Sequence, residues 1–128
     1  MKIKLPIQSK EIVEKENGDL ELKVEQGEKE FDVDMTLIAQ RRFEQNFPKM
    51  AEHEDVLSYS QRICSIKEIS APIIISKMKV LYCWLESDMI YDDFLRLFDL
   101  TDKKYVEKLT TKIQKVFELI FNGSAEKN

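Results

Sequence analysis

The chain has 128 residues, of which 43% are hydrophobic, and this size suits one domain with a core of its own. The formal net charge of −4 comes from residues 1–34, which hold six lysines and ten acidic residues, whereas residues 35–128 hold fourteen of each sign. An acidic leading segment before a balanced body disfavours nucleic-acid binding, because phosphate neutralisation needs clustered Lys or Arg.

The sequence predicts neither a membrane span nor a secretion signal. The longest apolar stretch, residues 73–85, is interrupted by a serine and two lysines, and the first seven residues lack the apolar region of a signal peptide. Cys64 and Cys83 each lie in an apolar helical pattern, which indicates buried, reduced thiols. We therefore expect a soluble, cytoplasmic protein that has no membrane partner.

Alternation of apolar and charged residues predicts a β-hairpin over residues 20–35, made of two short runs that each have the period of a half-buried strand. Gly27 lies between the two runs and can supply the positive φ of a turn. The preceding residues 1–19 are predicted to be an acidic, loosely held leader. Within it, Pro6 allows an edge strand at best, because proline lacks a backbone donor.

From residue 36 to residue 121 the apolar period becomes helical, and about five helices are predicted. They are a helix capped by Thr36 and ended by Pro48, a helix over residues 53–67, a core helix capped by Ser70 that runs through residues 73–85, a short helix over residues 90–98, and a final helix capped by Thr101. Three β-branched residues at the start of the core helix leave a strand there as the alternative. Residues 122–128 are predicted to fray. The predicted fold is one α+β domain over residues 1–128, predominantly helical.

No set of residues in the sequence is typical of catalysis or of cofactor binding. His53 is the single histidine, and without a second histidine or a cysteine pair beside it a solvent-facing acidic helix start is favoured over a metal site. Asp92 and Asp93 are adjacent, so on a helix they point about 100° apart and do not readily share a proton. The three glycines are not spaced as a phosphate loop. We therefore predict a protein that is not an enzyme and binds no cofactor.

Two further patterns suggest surfaces for contact. Four lysines form a stripe on the last helix, which favours a solvated face but leaves nucleic-acid binding open: Lys104, Lys108, Lys112 and Lys115. Aromatic residues are numerous for such short helices; most must lie in the core, while a few can line a groove or a self-association face. The candidates for partner binding are Phe43, Phe47, Trp84 and Phe121.

The order of these elements resembles a known family. An acidic segment, Leu20–Phe31, leads directly into Met35–Phe47, which contains Arg-Phe-Glu. A core helix, the segment Ile90–Phe98 with its Tyr-Asp-Asp-Phe, and an amphipathic last helix follow. Over residues 20–121 this arrangement is similar to the tail assembly chaperones of siphovirus-type bacteriophages. The acidic leader is an addition to that pattern.

The resemblance implies a non-structural chaperone of the host cytoplasm, which is not retained in the mature virion. Such a chaperone binds the phage tape measure protein during viral tail assembly, keeps its apolar helices soluble, and self-associates as a dimer or a larger ring or spiral. Two alternatives stay open beside this one. The first is a small regulatory or inhibitory protein-interaction module, which a phage could also encode, and the second, less favoured, is the nucleic-acid-binding module.

Overall fold

The computed structural model describes residues 1–122, which form a three-stranded antiparallel sheet and six helices. The strands are β1 (Lys2–Glu14), β2 (Leu20–Val33) and β3 (Leu85–Glu86), in the order β1-β2-β3, and the helices are α1 (Ile38–Asn46), α2 (Pro48–Ala51), α3 (Val56–Cys64), α4 (Ala71–Trp84), α5 (Tyr91–Leu95) and α6 (Lys103–Phe121). The α+β class is confirmed, and the predicted number of helices is roughly right. The tail predicted at 122–128 lies outside the described residues, apart from Asn122.

The hairpin forms from other segments than the sequence predicts. β1 pairs with β2 along the whole length of both strands, and the chain reverses at residues 15–19. Gly18 has a φ of +88° in this turn, a conformation that glycine adopts without steric cost. The predictions of a hairpin over residues 20–35 that turns at Gly27, and of a loose leader over residues 1–19, are therefore wrong.

The physical reason for this error is the extent of the ladder. Gly27 lies opposite Ile7 in the middle of the β1–β2 ladder. Its backbone is paired with β1 there, so the chain continues as a strand and does not turn. Residues 2–14 of the predicted leader form one long strand, on which Lys2, Lys4, Glu11 and Glu14 are exposed while Lys10 binds Asp99. The prediction for Pro6 is confirmed, since it lies in β1, the first strand in the order of the sheet.

The helical body follows the predicted pattern more closely. α4 is helical through its β-branched start, although Ile75 there is exposed, and it buries most of its second half, from Lys77 to Trp84. Packing of the second half therefore outweighs the weak helix propensity of the first turn. Two caps differ by one residue from the prediction: Leu37 rather than Thr36 precedes α1, and Asp102 rather than Thr101 caps α6 by accepting hydrogen bonds from two backbone N–H groups. The second and fourth predicted helices are shorter than predicted, and the short helix α2 and strand β3 were not predicted.

The root of the hairpin belongs to the core, whereas its outer half projects from it. Ile3, Leu5, Phe31 and Val33 are buried, and the Phe31 ring meets Phe94 of α5 edge-on at 5.7 Å between centroids. In contrast, every residue of β2 from position 20 to position 28 is exposed. We call this outer part, residues 9–28, the arm.

A buried glutamine fastens the hairpin to the start of α6. Gln8 is 1% exposed, and its Nε2 donates to Oδ2 of Asp99 at 2.7 Å and to Oδ2 of Asp102 at 3.1 Å. Its Oε1 accepts a hydrogen bond from Gln26 Nε2 at 2.7 Å, and its backbone N–H donates to the Leu97 carbonyl at 3.1 Å. The side chain therefore joins β1, β2 and the loop before α6 in one network.

The carboxylate of Asp99 is held in its charged form by this network. Burial on its own would raise the pKa of Asp99, but hydrogen bonds from Thr101, Gln8 and Lys10 outweigh that effect and lower the pKa to about 2. Lys10 Nζ lies 3.4 Å from the Asp99 carboxylate. The pKa of Asp102 is lowered as well, chiefly by the hydrogen bond from Gln8.

Substituting Gln8→Leu should lower the free energy of unfolding by about 1–3 kcal/mol, because it leaves two carboxylates without their common donor. Chemical denaturation followed by circular dichroism measures this. Gln45→Leu is the matched control: Gln45 is exposed on α1, and its change should stay within about 0.5 kcal/mol. Equal effects of the two variants would contradict the role assigned to Gln8.

Acid should reveal the same network. Because the pKa of Asp99 is depressed in the folded state, the stabilisation by its carboxylate is present above the unfolded value of about 4 and is lost as the pH falls toward 2. The difference in unfolding free energy between the wild type and Asp99→Asn should therefore be largest near neutral pH and shrink between pH 4 and pH 2. A difference that is independent of pH would rule out this origin.

Candidate partner-binding surfaces

Two of the four aromatic candidates are core residues. Phe43 is fully buried, with its ring centroid 5.4 Å from that of Tyr59. Trp84 is 8% exposed, and its Nε1 donates to the buried Ser60 Oγ at 2.9 Å. In this fold neither side chain is accessible to a partner. The prediction of Phe43 and Trp84 as partner-binding residues is therefore corrected. Both lie on the inward side of their helices, where packing alone accounts for an aromatic residue.

The other two candidates, Phe47 and Phe121, are half-buried at the edge of the core. The Phe47 ring meets Tyr91 edge-on at 5.0 Å and has Lys79 Nζ above it at 5.8 Å. The Phe121 ring packs edge-on against Trp84 at 5.5 Å. Most of their contacts are internal, and their binding to a partner stays a prediction.

The exposed apolar surface is aliphatic, and sequence reasoning missed most of it. One part lies between α4 and α6 and is called here the α4–α6 groove, a depression of about 190 Å³. Met78 and Leu109 are buried at its floor, while Ile75 is 45% exposed and Leu100 is 63% exposed at its rim. The remaining lining residues are Ala71, Ile74, Leu95, Phe98, Asp99 and Val106. A depression of this size is smaller than a typical small-molecule pocket and suits a single large side chain.

A second apolar part lies on the arm. Ile12 stands opposite Leu22 in the ladder, with 70% and 56% of their surfaces exposed. Leu20 and Val24 flank Leu22 two residues away on the same strand, so these side chains share one face of the ribbon. We call these four residues the arm face. The alternation of the sequence predicts a half-buried strand here, but both of its faces are open to solvent from residue 20 to residue 28.

The four lysines predicted as a stripe are all exposed along α6, and the fold adds a fifth from β1. Together they line a trough of about 460 Å³ between α6 and the hairpin: Lys4, Lys104, Lys108, Lys112 and Lys115. Glu28 and Glu107 line the same trough, and none of its described lining residues is aromatic. The trough can attract anions, yet it lacks a surface on which bases could stack.

The titratable groups outside these surfaces are arranged for structure. Burial raises the pKa of Cys64 and of Cys83 to about 12, so neither thiol carries an appreciable thiolate fraction at neutral pH. His53 is exposed, and nearby Asp55 caps α3 by accepting a hydrogen bond from Ser58 N at 2.7 Å. Within residues 1–122, no three His, Cys, Asp or Glu side chains are grouped so that they could hold a metal ion.

Comparison of the chain with protein-family models, with curated proteins and with solved structures finds no match. The resemblance to tail assembly chaperones therefore stays a prediction. Among the helices of residues 1–122, none has the length and apolar character needed to cross a membrane.

The exposed aliphatic residues should contribute little to stability. Leu100→Ser should change the unfolding free energy by no more than about 0.5 kcal/mol, because the side chain is 63% exposed. Phe43→Ala should cost about 3–5 kcal/mol, since it empties a fully buried site. Denaturant titration of the two variants beside the wild type measures both. A large loss for Leu100→Ser would mean that the groove rim is structural.

Proposed function

We propose that this chain is a non-catalytic binding protein that holds an apolar helical segment of another protein chain. The α4–α6 groove is the observation that carries this proposal. Aliphatic side chains are exposed at its rim, above a floor of buried residues. A partner that buried these rim side chains would remove apolar surface from water, which is favourable in free energy. An amphipathic helix that docks by its apolar stripe would place one large side chain into the depression.

In line with the resemblance stated above, we propose that the client is a phage tape measure protein and that binding takes place in the host cytoplasm during tail assembly. A tape measure protein is long and rich in helices whose apolar faces need cover. A passive holder suppresses aggregation by binding free energy alone, without nucleotide or metal. The acidic arm supports this proposal, because excess negative charge favours solubility of a complex that carries apolar surface.

Two other functions are weaker proposals. A small regulatory or inhibitory protein-interaction module could use the same groove, and it would differ only in its client. A nucleic-acid-binding module is favoured by the five lysines of the trough, but its two glutamates and its lack of stacking aromatics count against it. Steep loss of DNA or RNA binding with added salt would identify this second alternative.

Co-expression with the tape measure protein tests the main proposal. Produced alone, the tape measure protein should precipitate, and the wild-type chain should keep it in the soluble fraction without any requirement for ATP. Calorimetry of the complex should show a negative heat-capacity change and only a mild dependence on salt, because apolar surface is buried. Unchanged solubility of the tape measure protein would refute this client.

A matched pair of variants locates the contact. Ile75→Asp introduces a charge at the groove rim and should weaken client binding about tenfold or more, since a carboxylate would have to be desolvated. Leu57→Asp is its control: Leu57 is 46% exposed on α3, against 45% for Ile75, and does not line the groove. If both variants rescue solubility equally well, the client binds elsewhere on the chain.

A further inference from the structure

Within residues 1–122, nothing pairs with the outer edge of β2 over most of its length. β3 pairs only with Asp32 and Val33, at the root of the hairpin. From position 20 to position 28 the strand is exposed and has β1 on one side only. An edge of this kind presents unpaired backbone donors and acceptors to another chain.

The ladder fixes which residues point their backbone groups toward this edge. Val33 N donates to Met1 O and Lys15 N donates to Asp19 O, so odd-numbered residues of β2 form the hydrogen-bonded pairs with β1. The even-numbered residues therefore aim their N–H and C=O groups outward. Asp34 obeys the same rule, since its N–H reaches the Trp84 carbonyl on the outer side at 2.8 Å.

We propose that two copies of this chain pair antiparallel through residues 20–24 of β2, about a two-fold axis at Leu22, so that β1 and β2 of both copies belong to one continuous sheet. In this register Leu22 meets Leu22 of the second copy, and Leu20 meets Val24 of the second copy. All three are even-numbered, so each pair can exchange both of its backbone hydrogen bonds. The pairing keeps each residue on its own face and joins the two arm faces into one continuous apolar surface.

Charge on the opposite face supports the same register. Glu21 of each copy meets Lys23 of the other, and these are non-hydrogen-bonded pairs, in which side chains approach most closely. Within each copy Lys23 already lies opposite Glu11 of β1. Each lysine would thus stand between two carboxylates of neighbouring strands.

The registers centred on Lys23 and on Val24 are less complementary. If the axis moved to Lys23, that lysine would meet its own copy, and Glu21 would meet Glu25. If the axis moved to Val24, Lys23 would still meet Glu25, but Leu22 would meet Gln26 and Leu20 would meet Glu28. Like charges placed directly opposite each other are destabilising, and an apolar residue opposite a carboxylate gains nothing. A second copy fits this edge better with the axis at Leu22 than with the axis at Lys23 or at Val24.

The projection of the arm leaves room for the second copy. Pairing over residues 20–24 brings the turn of one copy alongside residues 25–28 of the other, which are exposed. The two bodies then lie at opposite ends of the joined sheet, because the strands run antiparallel. The trough and the α4–α6 groove contribute no residue to the paired segment.

Proline substitutions test the edge directly. Leu22→Pro removes an N–H that points outward, so it deletes an intermolecular donor while leaving the ladder with β1 intact. Sedimentation of the wild-type 15.1 kDa chain should show a concentration-dependent doubling of mass, and Leu22→Pro should weaken this about tenfold or more. Glu28→Pro is the matched control, since its N–H also points outward but lies outside the paired segment, and it should dimerise like the wild type.

A charge-swap experiment needs no assumption about proline. Glu21→Lys places lysine against lysine in the dimer, and Lys23→Glu places glutamate against glutamate, so each variant alone should dimerise about tenfold more weakly or worse. When the two variants are mixed, both cross-copy pairs become Lys–Glu, and a mixed dimer should form. Circular dichroism of each variant confirms that it is folded.

Three results would overturn the proposal. They are a wild-type chain that stays monomeric at high concentration, equal effects of Leu22→Pro and Glu28→Pro, and charge variants that fail to associate when mixed. A monomeric wild type would mean that the edge is available only to a strand of a different protein. Equal effects of the two proline variants would place self-association on another surface.

Discussion

The arrangement of this molecule depends on how the root of its hairpin is held. A two-stranded ribbon on its own is marginally stable in water. Here Leu5 and Phe31 lie in the core, and Gln8 is bonded to the carboxylates of Asp99 and Asp102. Asp102 also caps α6, so the same residue fixes the start of the last helix and accepts the hydrogen bond from Gln8 of β1. Strand and helix are therefore oriented together.

This anchoring has a consequence for the outer half of the ribbon. Once the root is fixed, backbone pairing continues to residue 14 on one strand and back from residue 20 on the other, beyond the reach of the core. Cross-strand pairs such as Ile12 with Leu22 add local stability there but remain largely exposed. The arm carries an apolar face and an open edge because pairing extends farther than packing does.

Sequence periodicity predicted part of this structure and could not predict the rest. The helical core stripe on α6 was readable because Leu109, Ile113 and Phe117 recur at the helical period, and all three are buried. Period two in β2 correctly indicated a strand, but it does not say which segment pairs with it or whether its apolar face meets a core. Asn17-Gly18 is a pair typical of turns, yet the strand that precedes it contains many charged residues and has the composition of a loose leader. Composition likewise does not distinguish a core phenylalanine such as Phe43 from a half-buried one such as Phe47.

The two apolar surfaces differ in the kind of partner they can accept. The arm offers backbone hydrogen bonds in a fixed register, which suits a strand and is selective through the alternating charges of Glu21 and Lys23. The α4–α6 groove is lined by side chains, most of them aliphatic, around a packed floor, which suits a helix with one large anchor. Because the two surfaces share no residue, occupation of the arm by a second copy leaves the groove open. A dimer joined through the arms would present two grooves at opposite ends, an arrangement in which each added groove raises the effective affinity for a long client with repeated apolar helices.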